Sequence, residues 1–145
     1  MTECTARPLA LLEMLRGVAE EGGLRLPVIG DCMTPWVRSG AYVTVSAPHR
    51  LYLPGDVVVL LNGERRLLVH RVIGGYRRRG VWKWLTQADA AARPDNAVIS
   101  ACIVGQVSGG DCDPALVRIP LRHRLWAVGR FIRFIARHRR RSAVV

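Results

Sequence analysis

Hydrophobic and polar positions along this chain change their period several times, and each change marks a predicted element. From Pro8 to about Glu21 the apolar side chains recur at helical spacing, and Gly22-Gly23 ends that segment. From Leu24 to Val107 short apolar or alternating runs are separated by turn signals rich in glycine, proline and aspartate. The pattern predicts an N-terminal helix followed by a mainly-β domain.

The β segment contains several predicted strands, which differ in how they are buried. The run Val57-Val58-Val59-Leu60-Leu61 is continuously apolar and β-branched, which is typical of a strand covered on both faces. Asn62-Gly63 predicts a hairpin after it, and Gly74-Gly75 predicts a further turn that ends the return strand. The predicted strands cover residues 24–29, 42–46, 57–61, 66–73, 76–79, 81–85 and 97–107.

The character of the chain changes after Gly109-Gly110-Asp111, where a basic segment begins. Residues 121–141 contain no acid and show helical periodicity, which predicts a basic amphipathic helix. Its apolar face is predicted to carry Leu125, Val128, Ile132 and Ile135, and its basic face Arg122, Arg130, Arg133 and Arg137. Two roles fit this helix: it lies on an anionic membrane surface, or it docks onto the β domain with its arginines in solvent. The predicted regions are therefore an N-terminal helical segment (1–23), a β domain (24–108) and a basic tail (109–145).

Composition restricts the partners and the location of the protein. The chain has 145 residues, half of them hydrophobic, which predicts one folded domain with a core. Its formal net charge is +11, and almost all of the positive charge is arginine. Nucleic acid, anionic lipid and acidic peptides are the partners that such a charge allows, and the sequence leaves the oligomeric state open. Because Glu13 interrupts the first apolar segment and no run is long enough to span a bilayer, we expect neither a signal peptide nor a membrane span, and a location in the cytoplasm or peripheral at the cytoplasmic membrane face.

The cysteine spacing argues against a metal centre. The four cysteines, Cys4, Cys32, Cys102 and Cys112, form no CxxC pair and no cysteine–histidine metal spacing, so no metal or other cofactor is expected. Cys102 lies in an apolar run and is predicted to be a buried thiol. Cys32 is different, because it follows the first predicted strand at a corner that Gly30 permits and Pro35 stiffens.

That corner resembles a known peptidase motif, and later segments extend the resemblance. Gly30-Asp31-Cys32-Met33-Thr34-Pro35 resembles the Gly-x-Ser-Met-x-Pro box of type I signal peptidases and their LexA-like relatives. Val69-His70-Arg71-Val72-Ile73 resembles the box of the endoplasmic-reticulum and archaeal branch, in which His replaces the Lys of the bacterial branch. Three more segments are similar, in the family's order, to its Gly-Asp-hydrophobic, Thr-Lys-Gly-Asp and Ile-x-Gly-x-Val boxes: Gly55-Asp56-Val57-Val58, Thr86-Gln87-Ala88-Asp89 and Ile103-Val104-Gly105-Gln106-Val107. The resemblance implies a small, strongly bent β domain of the signal-peptidase/LexA-like type over roughly residues 24–107.

The resemblance also implies a site for peptide-bond cleavage. Cys32 would be the nucleophile, and His70 would be its base and then the acid that protonates the leaving amine. Asp89 would orient the His70 ring, with Asp95 as the competing candidate for that role.

Other residues of the same boxes would support this chemistry. Backbone N–H groups at the Gly30-Asp31 corner would stabilise the oxyanion. Arg71 is expected to form a structural ion pair with Asp89 or with Asp95. An extended peptide substrate would add beside a sheet edge near Cys32.

Three features depart from the family pattern. Cys32 stands in place of the serine nucleophile, Gln87-Ala88 replaces Lys-Gly, and an N-terminal membrane anchor is not expected. A cysteine paired with a histidine is chemically coherent, because a nearby imidazolium favours the reactive thiolate.

Three hypotheses of function follow. The first is a signal-peptidase-like endopeptidase, a hydrolase that cleaves a precursor or leader peptide through a Cys32–His70 dyad, with the basic helix as a possible membrane contact. The second is a catalytically inactive relative that binds peptides. The third is a LexA-like regulator associated with DNA, which is disfavoured because the segment before Leu24 is too short for a helix-turn-helix domain.

Overall fold

The computed structural model describes residues 10–143, and in this range six strands and two α-helices follow one another along the chain. The helices are α1 (Ala10–Glu20) and α2 (Leu121–Ser142). The strands are β1 (Leu24–Pro27), β2 (Tyr42–Ser46), β3 (Val57–Leu61), β4 (Leu67–Arg78), β5 (Val81–Gln87) and β6 (Ile103–Gly110). Short 3-10 turns at Ser100–Cys102 and Pro114–Leu116 flank β6. The protein is thus mainly β with a helix at either end of the described range, as the sequence pattern predicts.

All six strands form one antiparallel sheet in the order β1-β2-β6-β3-β4-β5. The pairing register shifts in three places, between Thr44 and Val45, between Val59 and Leu60, and between Val72 and Gly74. Irregularities of this kind bend strands and increase their twist, which lets a single sheet curve around side chains on both of its faces. Strand β3 lies near the centre, and all five of its residues are buried, as its continuous apolar run predicts.

The main core packs α1 against the central strands. Leu12 and Ala19, which are each 1% exposed, pack in a cluster with valines of β2, β3 and β6. Met33, directly after Cys32, is fully buried in the same cluster. Burial of such side chains contributes on the order of 1.5–3 kcal/mol each, so the corner that carries Cys32 is held by its neighbour's place in the core.

The glycine pair at positions 74 and 75 does not turn the chain, contrary to the sequence prediction. Both residues lie inside β4, which continues to Arg78 and pairs with β5. A Cβ atom at Gly74 would lie 2.5 Å from the Phe131 ring, and one at Gly75 would lie 2.6 Å from the Trp82 ring. The pair is there because two aromatic rings pack directly onto the strand backbone, which is the other common reason for glycine inside a strand.

Helix α2 docks against β4, and its docked face differs from the predicted one. Ala127 is fully buried, Phe131 lies over Gly74, and the Phe134 ring stacks on Tyr76 at 6.1 Å between centroids. Arg124 adds an ion pair to Asp56, with 3.0 Å between Nη1 and Oδ1. The predicted apolar stripe of Leu125, Val128 and Ile132 is exposed instead.

Further details correct the sequence predictions. Strand β6 runs to Gly110, so the predicted domain boundary at residue 108 falls inside it. Cys102 is buried as predicted, but it is disulfide-bonded and not a thiol. Cys4 lies outside the described residues. Neither α1 nor α2 combines the length and the apolar character that a bilayer-spanning helix requires.

Candidate functional site

The Cys32 corner is built from local backbone geometry. Gly30 has φ +92°, a conformation that other residues adopt only with strain, and its N–H donates to Ser39 Oγ at 3.1 Å. The Thr34 N–H donates to the Asp31 carbonyl at 3.1 Å, which closes a turn around the cysteine. The Cys32 carbonyl accepts from the Ala90 N–H at 3.1 Å. The corner is therefore tied to the loop that follows β5.

The Cys32 thiol lies beside β4. Its Sγ is 3.9 Å from the Val69 carbonyl oxygen, and the side chain is partly exposed. His70, the next residue along the strand, is near enough for the Cys32 thiol to raise the pKa of its imidazole. The fold thus brings together two residues that are distant in sequence and that the resemblance assigned to one dyad.

A carboxylate lies on the other side of the His70 ring. His70 Nδ1 is 2.5 Å from Asp95 Oδ2, and the same oxygen accepts from Thr86 Oγ1 at 2.9 Å. The Asp95 N–H donates to the Thr86 carbonyl at 2.8 Å, which fixes the backbone of the aspartate as well. Since the carboxylate faces Nδ1, it can accept the proton of that nitrogen and hold the ring in place.

The surroundings of His70 favour its charged form. His70 is 6% exposed, and this burial acts to lower its pKa. The hydrogen bonds to Asp95 and Cys32, together with the charges of the same two groups, outweigh the burial and raise the pKa from 6.5 to about 9. Near neutral pH the ring is therefore an imidazolium, and an imidazolium beside a cysteine favours the thiolate.

Asp89 does not contact His70, although it was the first choice for the orienting residue. It forms a two-pronged ion pair with Arg71, with Nε to Oδ1 at 2.9 Å and Nη2 to Oδ2 at 2.8 Å. Arg71 is 1% exposed and also donates to the Gly55 carbonyl at 2.9 Å. Asp95, the competing candidate, is therefore the carboxylate that contacts His70, and Asp89 forms the structural ion pair expected for Arg71.

The loop after β5 is held by helix α2. Arg130 donates to the carbonyls of Ala88 and Asp89, at 3.3 Å and 3.4 Å. Ala88, which stands where the family pattern has glycine, is 4% exposed. Gln87 donates to the Ala91 carbonyl at 2.8 Å, so its amide also supports the loop. Both departures from the Lys-Gly pattern are accommodated in the packing.

Two backbone features suit a peptide ligand. Among residues 10–143, the N–H of Cys32 has no hydrogen-bond acceptor, so it is available to an oxyanion at the sulfur. The first residues of β4, Leu67 to His70, pair with β3 on one side only, since pairing with β5 begins at Arg71. The described part of the chain therefore leaves an open strand edge at Val69 and His70, directly beside the thiol. The side chain of Asp31 is exposed.

A cavity of about 390 Å³ lies next to the corner and is shared with α2. One wall comes from the residues that follow Cys32, and the other from the first turns of the helix and from the Arg71–Asp89 pair. Its lining residues are Thr34, Pro35, Trp36, Arg71, Asp89, Arg122, His123 and Trp126. His123 Nδ1 is buried there without a hydrogen-bond partner within the described range, and burial followed by the charge of Arg71 lowers the pKa of that histidine.

Three contributors to the site were not predicted from the sequence: Thr86, Arg130 and the Val69 carbonyl. The position of Thr86 at the end of an apolar strand was a usable signal, but nothing in the sequence relates Arg130 to a loop 41 residues earlier. In the described part of the chain no cluster of three or more histidine, cysteine or acidic residues has the arrangement of a metal site.

Comparison with known proteins adds no identification: the chain matches neither a protein-family model nor a curated protein.

Proposed function

We propose that this protein is an endopeptidase that uses Cys32, His70 and Asp95 as a catalytic triad. The observation that carries the proposal is the position of His70, whose Nδ1 lies 2.5 Å from Asp95 Oδ2 and whose pKa is raised by Asp95 and by the Cys32 thiol. An imidazole that is oriented by a carboxylate and hydrogen-bonded to a nucleophile is the general arrangement for acyl transfer. The resemblance of the surrounding boxes to signal peptidases supports the same assignment.

The proposed reaction proceeds through a thioester. The Cys32 thiolate attacks the carbonyl carbon of the scissile bond, and the Cys32 N–H stabilises the resulting oxyanion. As the C–N bond breaks, the His70 imidazolium gives its Nε2 proton to the leaving amine. Neutral His70 then takes a proton from water, which attacks the thioester, and thiolate and imidazolium are restored when the acid product leaves. Asp95 stabilises the imidazolium throughout and keeps its ring in place.

The proposed substrate is an extended segment of a precursor or leader peptide. Such a segment can pair with the open edge at Val69 and His70, which would present one of its carbonyls to Cys32. Backbone pairing supplies affinity without demanding a particular sequence, so the specificity of the enzyme rests on side-chain pockets beside the edge.

The test is selective alkylation of Cys32, with Cys112 as a control in the same molecule. Cys112 is also partly exposed and free, but burial and the charges of Asp113 and Asp111 raise its pKa. Treatment of the full chain with iodoacetamide near neutral pH, followed by mass spectrometry, should show Cys32 modified at least about ten times faster than Cys112. His70→Ala should slow labelling of Cys32 and leave the rate at Cys112 unchanged.

A peptide electrophile then separates catalysis from binding. A peptide chloromethyl ketone with small side chains should label Cys32 and protect it from iodoacetamide. Equal rates at both cysteines in the unaltered chain would refute the catalytic triad. Saturable peptide binding without preferential labelling of Cys32 would instead support the peptide-binding alternative.

A further inference from the structure

Helix α2 has an apolar face that the fold does not cover. Leu121, Leu125, Val128 and Ile132 are four, three and four residues apart, so they form one stripe along the helix. They are 70%, 62%, 36% and 61% exposed, respectively. The helix instead docks through a different face, which includes Ala127 and Phe131. Large exposed apolar side chains in one continuous row are rare on soluble proteins and indicate a binding surface.

A third face of the same helix is positively charged. It carries exposed arginines at helical positions between the apolar stripe and the docked face. These residues are Arg122, Arg133, Arg137 and Arg140. No acidic residue occurs in α2. Arg130, which the sequence analysis placed with them, turns towards the β domain and stacks over Trp126 at 3.5 Å from the ring centroid.

Two further leucines are exposed in the loop that precedes β3. Leu51 and Leu53 are 69% and 55% exposed. The same loop continues to Pro54, whose carbonyl accepts from Arg124 in the second turn of α2 at 3.1 Å. This bond keeps the loop beside the start of the helix.

We infer that this outward surface of α2 binds anionic lipid headgroups, with the apolar stripe in the acyl boundary and the arginines at the phosphates. An apolar row flanked by arginines is the arrangement by which helices lie in a membrane interface. A second copy of the chain fits less well, because two surfaces of the same positive charge would face each other on molecules of net charge +11. Nucleic acid would use the arginines but leave the leucines in water.

The surface determines what the candidate peptidase can reach. Arg130 joins α2 to the loop beside Cys32, and the first turns of the helix line the cavity next to the Thr34-Pro35 corner. A membrane-bound helix therefore holds the site close to the lipid surface, where precursors that lie at the interface would meet it. The lipid surface does not depend on the proposed catalysis, since none of its residues contacts Cys32 or His70.

Vesicle co-sedimentation of the full-length chain tests the inference. We expect strong binding to phosphatidylcholine vesicles that contain a quarter phosphatidylglycerol and weak binding to phosphatidylcholine alone. Leu125→Gln and Ile132→Gln should each weaken binding to the mixed vesicles about tenfold. Arg133→Gln and Arg137→Gln should each weaken it about fivefold, because each basic residue near an anionic surface contributes on the order of 1 kcal/mol.

Leu11→Gln is the matched control, because Leu11 is a leucine on the other helix and is 51% exposed. It should bind like the unaltered chain, and all variants should keep the same unfolding midpoint because the altered side chains lie in solvent. Unchanged binding of Leu125→Gln and Ile132→Gln would overturn the insertion of the stripe and leave only surface adsorption. Absence of vesicle binding, together with a dimer that Leu125→Gln dissociates in sedimentation velocity, would show that a second copy covers the stripe.

Discussion

The assignment of Asp95, and not Asp89, as the partner of His70 gives the sharpest prediction. Replacing Asp95 by Asn removes the charge that faces Nδ1 and keeps the shape of the side chain. An amide can also donate to Nδ1, which would place the ring proton on Nε2 and turn it towards the sulfur. We therefore expect both the charge and the orientation of His70 to be lost.

The magnitude follows from the pKa of His70. Its rise from 6.5 to about 9 corresponds to roughly 3 kcal/mol of preference for the imidazolium, to which Asp95 and Cys32 contribute against the cost of burial. If Asp95 supplies half or more of that preference, its removal lowers the reactivity of Cys32 near neutral pH by about ten- to hundredfold. Peptide cleavage should fall further, because it also needs the correct tautomer.

The assay is the pH dependence of Cys32 alkylation, normalised to Cys112 in the same sample. The excess of Cys32 over Cys112 labelling in the unaltered chain should disappear as the pH rises through about 9, where His70 loses its proton, whereas Asp95→Asn should lose that excess at a lower pH. Thr86→Val removes the 2.9 Å hydrogen bond to Asp95 but no charge, so it should produce a smaller shift in the same direction.

Asp89→Asn is the comparison that separates the two carboxylates. It breaks an ion pair with Arg71, which is almost fully buried, so it should lower the free energy of unfolding by about 3–5 kcal/mol. The molecules that remain folded should keep the pH profile of the unaltered chain. A shift in that profile as large as the one from Asp95→Asn would refute the assignment, as would an unchanged profile in folded Asp95→Asn.

Three further predictions concern stability and shape. Because the pKa of His70 is higher in the folded chain than its ordinary 6.5, protonated His70 stabilises the fold by at most about 3 kcal/mol. This stabilisation is complete below about pH 6.5 and is lost as the pH rises through about 9. Urea unfolding near both pH limits should show the loss, and His70→Ala should abolish the pH dependence. Gly74→Ala puts a methyl group 2.5 Å from the Phe131 ring and displaces α2, so it should lower the free energy of unfolding by about 1–3 kcal/mol and speed hydrogen exchange in α2. Gly109→Ala is the control, because its nearest neighbour atom is 4.0 Å away, and it should leave hydrogen exchange in α2 unchanged. Gly30→Ala meets no atom within 4 Å but is strained at φ +92°, so it should cost about 1–2 kcal/mol and slow Cys32 alkylation; unchanged reactivity would show that the corner does not position the sulfur.

Local patterns in the sequence were sufficient for the element types and for most of their order. Strand β3 was predicted with its observed bounds, because a continuous β-branched run of five residues fits little else than a buried strand. The basic helix was also predicted, since its periodicity and absence of acid are visible without any contact. The turn at Gly74-Gly75 was wrong, because a glycine pair signals either a turn or close packing, and Phe131 and Trp82 choose the second only in the folded chain.

The sequence by itself indicated the cysteine and the histidine of the candidate site but not which other side chains they contact. Cys32 and His70 were recognisable because each lies in a short segment that resembles a box of the signal peptidases. Asp89 and Asp95 lie six residues apart in one loop, and spacing says nothing about which carboxylate reaches a ring on another strand. Only the tertiary structure decided this, by placing Arg71 against one and Thr86 against the other. It likewise decided which face of α2 docks, because periodicity identifies apolar faces while the partner surface on β4 selects among them.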